Sequence, residues 1–449
     1  MLCMNSLEKS LINLADDLIK AEKNLSVKQK RMEALDCFAK QDFNYKSDNW
    51  LNAKIDVFLK RQYQTSIKEV SDIQAFSCEI DNIESNAAYL VNGNKLINNN
   101  KNLGLQLSNI VDVTETEAST FAAAAASEDD CLYSINTAAF TGGFFLNIPD
   151  NTVVELPLQL ISVNNQQEDS FYNIRNLIKI GDNSQVKIIQ CDDSVVDNYL
   201  FINNITEIFV GKNSHLDLYK MYNLSNSTAV VNSIFIEQKA NSVVNTYNFE
   251  LNAGLLRSKL VSKLIEQGAE SYSFGIYLVD KQQYMSNLVD VEHLAPNCKS
   301  EQIFKGIVDD LARAVFNGKI VVHKDAQKTI ASQVNRNILL SEKAKVNSKP
   351  YLEIYADDVK CSHGTTVGQL NEEALFYMQA RGISVENARR LLLNAFIGEV
   401  IDKIHIEPIK VRMSDLVKKR LNGELSKCNN CIIRCSDAQL NDADDNCIE

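Results

Sequence analysis

The stretch "ADDVKCSHGTT", Ala356–Thr366, sets two carboxylates, a thiol and an imidazole within seven positions. The chain has five histidines in all, and His363 stands here two residues after Cys361. A thiolate and an imidazole are ligands for iron or zinc. Residues i and i+2 of a strand face the same side about 6.5 Å apart, close enough to converge on one ion. The preceding "YLEIYADD" alternates, with Leu352, Ile354 and Ala356 on one face and Glu353, Tyr355 and Asp357 on the other. The first face is core. A strand that ran on would place Cys361 and His363 on the second face, with Glu353 and Asp357. Asp357 and Asp358 then point to opposite sides and make a poor acid–base pair for hydrolysis. Two ligands from one chain also leave an iron or zinc site incomplete. On spacing alone, a buried thiol and a hydrogen-bonded imidazole at a strand end account for the pair better than a metal site does.

Other candidates are weaker. "CNNCIIRC" supplies Cys428, Cys431 and Cys435, with Cys447 beyond them. C-x-x-C suits zinc or a cluster, and four thiols could complete a tetrahedral site. No second C-x-x-C follows, however, and the surrounding stretch is short and polar, so unliganded thiols are the plainer account. In "HLAPNC", His293 precedes Cys298 by five residues, which reads as a loop between strands. No G-x-x-x-x-G-K-[ST] occurs, so P-loop ATP hydrolysis is not expected. G-x-S-x-G and H-E-x-x-H are missing too.

The totals narrow the class. At 449 residues the chain is long for one ordinary domain, unless an elongated repeat carries much of the length. Hydrophobic residues at 45% allow a large core, and a net charge of −12 argues against binding nucleic acid. Glu8, Asp16 and Asp17 interrupt any apolar leader, and no apolar run reaches membrane-spanning length. The expectation is a cytoplasmic protein without a membrane segment. Its eleven cysteines are then thiols, and Cys37, Cys78, Cys131, Cys191 and Cys298 read as small buried hydrophobes.

The elements that must position these residues show in the periodicity. Leu7, Leu11, Leu14 and Leu18 recur at helical steps. "CFAKQDFNYKSDNWLNAKIDVFL" holds the single tryptophan, Trp50, and could add a packed helix. The alanines of "FAAAAAS" favour helix. From about residue 135 the texture becomes short runs of Val, Ile and Tyr broken by Gly, Asn and Asp, which are strand and turn signals. Turns ending in serine recur at Ser184, Ser214, Ser242 and Ser271, at steps of 30, 28 and 29, with Thr152 loosely preceding them. A strand repeat of that length without intervening helices fits the coils of a β-solenoid better than a β-sandwich. Each end of such a stack is an edge that needs a cap or a partner.

After Gly364 the pattern turns helical. Asn371 can cap a first short helix and Ser384 a second, whose apolar stripe is expected at Ala388, Leu391, Leu392, Ala395, Phe396 and Val400. Pro408 should end or kink the helical region, before a short helix in "MSDLVKKRL". The expected organisation is an N-terminal helical region with linker (1–130), a β core (131–366), a C-terminal helical domain (367–425) and a cysteine-containing acidic tail (426–449).

One long block, "AQKTIASQVNRNILLSEKAKVNSKPYLEIYADDVKCSHGTTVGQLNEEALFYMQARGI", closely resembles the core of the SufB/SufD family. "HLAPNCKSEQIFKGIVDDLARAVFNGKIVV" before it and "AFIGEV" after it fit as well. The "KCSHG-T-VG" form is similar to the SufD branch; SufB has a His-Glu pair there and further cysteine motifs, both missing here. The resemblance is strong over about 285–400 and weaker over the repeats and the Trp50 segment. It implies a mainly β protein: a right-handed parallel β-helix flanked by N-terminal and C-terminal helical regions. It implies a non-catalytic subunit of the SUF iron–sulfur cluster assembly scaffold. Such a subunit pairs with a SufB-like β-helix protein and takes a SufC-like ABC ATPase on its C-terminal helices. His363 then falls at the family position implicated in the nascent cluster, with Cys361 beside it, so the reading from spacing is overturned and the partner supplies the missing ligands. No tightly bound cofactor is expected on the isolated chain, only transient iron or cluster in the complex. Phe376, Arg381 and Phe396 are candidates for the ATPase-facing surface, with helix core and turn as the equal alternative. A homodimer is left open.

Two other classes compete. A secreted β-helix polysaccharide lyase or hydrolase would line a groove with carboxylates; the missing leader and the many cysteines argue against it. A self-contained metal-binding protein would use Cys361, His363 and the C-terminal thiols.

Overall fold

The computed structural model describes residues 6–41, 53, 55–65, 84–98, 104–125, 130–194 and 198–422. The Val- and Ile-rich runs between Gly and Asn turns become strands of two sheets, ten and nine strands wide. Successive strands alternate between the sheets, and each pairs in parallel with the strand one coil further on. His215–Asn223 pairs with Val243–Asn252 in the ten-stranded sheet, and Leu200–Val210 with Thr228–Gln238 in the other. The result is a parallel β-solenoid of about eight turns. Leu146, Leu160, Ile178, Ile188, Ile208 and Leu218 fill the space between the sheets. Each coil alone could not cover this apolar surface; stacking makes it continuous.

The repeat has a physical basis at one corner. Asn151, Asn183, Asn213, Asn241, Gly268, Asn297 and Lys328 stack there, all with φ between 54° and 74°. Asparagine and glycine tolerate this left-handed turn best. The asparagine amides form a ladder: Asn183 donates to Asn151 at 3.0 Å, Asn213 to Asn183 at 3.0 Å, and Asn241 to Asn213 at 3.3 Å. In three of these turns the next residue is the recurrent serine, Ser184, Ser214 or Ser242. Ser184 Oγ donates to Pro149 O at 2.8 Å and accepts from Thr152 N at 3.1 Å; Ser214 Oγ donates to Gly181 O at 2.6 Å.

Ser271 is not in this column. The pairing of Val243 with Glu270 puts Ala269 opposite Ser242, and the column continues through Cys298 and Thr329. Gly268 takes the left-handed position in that coil, so the backbone turn sets the register and the serine three residues later does not. Cys298 is thus a buried member of the column, its Sγ donating to Glu266 O at 3.4 Å.

The two ends of the solenoid differ. At the N-terminal end, antiparallel strands Lys95–Asn98 and Gln106–Asn109 lie outside the first parallel strands of each sheet. At the other end the sheets stop at Lys345–Ile354 and Lys360–Gly368, and among the described residues no strand pairs with their outer edges.

Helices cover both faces. α1 (Ser6–Ala21), α2 (Leu25–Lys40), α3 (Asp56–Leu59) and α4 (Cys131–Ala139) lie against the nine-stranded sheet, where Leu7, Leu11, Phe58 and Ile135 pack with Phe171, Phe201 and Leu255. The alanine run does not form the helix that propensity predicts. Phe121–Ala125 is a turn with Ala122 at φ 59°, because the N–H groups of Ala122 and Ala124 donate to the buried Glu207 carboxylate at 2.8 and 3.1 Å. Of the segment around the tryptophan, residues 42–52 and 54, Trp50 among them, lie outside the described residues, as does Cys78.

α5 (Glu372–Ala380), α6 (Val385–Ile401) and α7 (Glu407–Leu421) follow the last strand. Asn371 and Ser384 cap α5 and α6 as expected. The buried stripe of α6 is Ala388, Leu393, Ile397, Val400 and Ile401, while Leu391 is half exposed. Leu393, Ile397, Val400 and Ile401, with Met413 of α7, pack on Ile189, Tyr219, Tyr247 and Phe274 of the ten-stranded sheet. Pro408 opens α7 instead of ending the helical region; at the first turn its missing N–H costs no helical bond.

Candidate functional site

The last strand, Lys360–Gly368, runs parallel to Ile330–Leu339, with Cys361 beside Ala331, His363 beside Gln333 and Thr365 beside Asn335. His363 to Gly368 are all exposed. The chain reaches this strand by a corner at Tyr355–Val359, which passes it from one sheet to the other. That corner overturns the facing expected from simple alternation. Cys361 packs with Leu352, Ala356 and Val359, on the inner side, while Glu353 lies outside and pairs with Lys319 Nζ at 2.9 Å. Thr365 Oγ1 donates to Ser348 Oγ of the opposite sheet at 2.7 Å, so the face holding Cys361, His363 and Thr365 looks into the solenoid. The pair therefore stands at the rim of the open end, without Glu353 or Asp357.

The two groups differ in environment. Cys361 is half buried, and burial pushes its thiol pKa up, offset in part by the Ala331 N–H. His363 is exposed above the buried Gln333, whose amide donates to Gln302. Among the described residues no three His, Cys, Asp or Glu side chains come together to hold a metal ion. Cys361 and His363 stand two residues apart on the inner face of the last strand, Cys361 half buried and His363 exposed. Cys428, Cys431 and Cys435 lie outside the described residues.

The other candidate positions separate. Phe376 is 73% exposed, and no side chain of α5 is buried. Arg381 Nη2 donates to Tyr377 Oη at 2.9 Å and its guanidinium lies 5.0 Å from that ring. Tyr377 and Arg381 form an exposed aromatic–cationic pair, and Phe376 is a separate exposed aromatic on the same helix. Phe396 is not among them. It is half buried against the sheet, with Lys305 Nζ 4.6 Å from its ring and donating to its carbonyl at 2.6 Å. Sequence reasoning missed Tyr377, although its four-residue step to Arg381 is a helical pairing signal. It also missed Glu399, which meets Lys305 at 2.5 Å and Arg336 at 3.2 Å and ties α6 to the last coils. Nothing in the spacing of those three residues shows that they meet.

The SufBD core domain of the SUF system for FeS cluster assembly matches residues 162–396, and the SufBD protein N-terminal region matches 5–160. The chain belongs to the SufBD family. It is 31% identical over 296 residues to an iron–sulfur cluster assembly SufBD family protein of Synechocystis, covering 64% of this chain and 65% of that one. It is 30% identical over 259 residues to the iron–sulfur cluster assembly protein SufD of Escherichia coli, covering 57% and 61%. SufD of Bacillus subtilis is 27% identical over 292 residues. The chain spans slightly less than two thirds of the length of the first two. The core match contains the whole open end, including Cys361 and His363. Among the described residues, no helix is long and apolar enough to cross a membrane.

Proposed function

We propose that this chain is a cytoplasmic, non-catalytic scaffold subunit whose open solenoid end pairs with a SufB-like solenoid. An iron–sulfur cluster, as cargo, is built at that junction. The observation that carries this reading is the last strand, Lys360–Gly368, whose outer edge no described strand pairs and whose inner face holds Cys361 and His363. Two bare sheet edges invite strand pairing by a second solenoid, and a half-site is completed by ligands from that neighbour. The chain contains no P-loop, so nucleotide hydrolysis belongs to a SufC-like ATPase.

The exposed Phe376–Arg381 surface of α5 is the docking face for that ATPase. Its motion passes into α6, and through Glu399 to Lys305 and Arg336 at the open end. The junction then opens and admits iron and sulfur to His363 and Cys361. The test is co-purification with the SufB-like and SufC-like proteins followed by anaerobic spectroscopy of the complex. His363→Ala should leave the complex assembled and lower the cluster formed on it. Unchanged cluster formation in that variant would overturn the role of His363, and failure of the three chains to associate would overturn the scaffold reading.

A further inference from the structure

We infer that the acidic segment 436–449, "SDAQLNDADDNCIE", docks in a basic groove beside the corner at Lys281–Gln283 and thereby tethers the chain's own C-terminal cysteines along the solenoid. The groove encloses about 740 Å³ on the outer face of the nine-stranded sheet. Its floor is one register column, Leu255, Tyr284, Arg313 and Lys345. The column begins as apolar surface under the N-terminal helices and turns cationic where that cover stops. Lys281 and Lys343 add two more charges from the corner turns, and Val57 and Leu311, each about half exposed, leave an apolar rim. Glu342 is the single carboxylate among the lining residues. Among the described residues none of the four cations forms an ion pair.

The segment fits this surface in charge, length and starting point. It has five carboxylates, Asp437, Asp442, Asp444, Asp445 and Glu449, and no Lys or Arg. An extended 442–445 spans about 10 Å, and two strand spacings, from Tyr284 to Lys345, are also about 10 Å. Leu440 and Ile448 supply apolar side chains for the rim. The described chain stops at Asn422, just past α7, beside the groove. Arg420 donates to both oxygens of Asp280 at 2.7 Å and to Gln283 Oε1 at 3.3 Å, and Gln283 lines the groove. α7 therefore delivers the following residues to the groove's own corner. Cys428, Cys431 and Cys435 then lie on a connector fixed at both ends.

The test uses the full chain, as a mixture of ordinary and isotope-labelled protein, with zero-length carbodiimide coupling of carboxylates to lysines and mass spectrometry. The expected products join Lys281, Lys343 or Lys345 to residues 437–449 within one label, and they fade at high salt because exposed ion pairs are screened. In the full-length variant Lys343→Glu/Lys345→Glu, cleavage of the tail by an aspartate-directed protease should accelerate about tenfold, from the loss of two exposed pairs. Products of mixed label would assign the groove to a second copy and overturn the inference. Coupling of these lysines to carboxylates of 42–54 or 66–83 would assign it to the N-terminal segments and overturn it too. So would an unchanged cleavage rate in the variant.

Discussion

Glu207 Oε2 lies 2.6 Å from Arg175 Nη2, with both side chains shut off from solvent, and the N–H groups of Ala122 and Ala124 complete the carboxylate's shell. Glu207→Gln leaves the guanidinium charge buried without its counter-charge. The expected cost is about 3–5 kcal/mol, read as a fall in the urea midpoint. The double variant Arg175→Met/Glu207→Leu, which removes both charges, should recover most of that loss. A single variant no worse than the double would mean that the pair is not what holds the alanine turn.

Asn213 sits at φ 55° and is bonded on both sides in the ladder, donating to Asn183 and accepting from Asn241. Asn213→Ala keeps the strained backbone and loses both bonds. Destabilisation of about 1–2 kcal/mol is expected from the left-handed conformation alone. Asn213→Gly relieves the strain and should cost less than the alanine variant. Equal losses would show that the amide bonds, and not the turn, decide the stability of this corner.

Stability should also depend on pH through Glu250. Its carboxyl is buried inside the solenoid, and burial raises its pKa to about 8; Asn287 and Asn248, which donate to its two oxygens, offset that rise only in part. The folded chain holds a proton that an unfolded carboxyl, near 4.5, releases. The contribution is therefore fully present below about pH 4.5, falls as pH rises, and is lost above about pH 8. Denaturation midpoints of the wild type should drop between pH 5 and 8 more steeply than those of Glu250→Gln. Parallel curves would mean that this carboxyl is ionised in the fold.

Phe376→Ser should leave the melting temperature almost unchanged, because the side chain touches no core; surface changes of this kind stay within about 0.5 kcal/mol. The same change should weaken capture of the SufC-like ATPase by about tenfold or more, as loss of an aromatic anchor does. Phe396→Ser should do the reverse and lower stability first, since that ring packs on the sheet. If both variants lost the ATPase equally without unfolding, the docking face would extend to α6.

The solenoid was legible in the chain because its turns repeat. An asparagine in a left-handed turn, followed by a buried serine, leaves its mark at three successive coils, Asn183–Ser184, Asn213–Ser214 and Asn241–Ser242. Where the turn changed chemistry, at Gly268–Ala269, counting serines pointed to Ser271 and slipped by two residues. The alanine run failed for a different reason. Helix propensity is a local term, and Glu207, more than 80 residues away in sequence, overrides it with two hydrogen bonds. The candidate site was legible as a Cys–His pair, but its facing was not. Alternation along one strand cannot foresee a corner, and Tyr355–Val359 turns Cys361 inward. Nor could spacing find Glu399, whose partners Lys305 and Arg336 come from two different strands.

The unlike ends of the solenoid bear on how large an assembly this chain can build. A coil stack bare at both ends would add copy after copy and grow into a fibre, since each addition exposes the same edge again. Here the strand direction reverses at one end, at Lys95–Asn98 and Gln106–Asn109, and stays parallel at the other. Head-to-tail stacking of copies would interrupt the parallel run of strands at every junction, because the first strands met there run the other way.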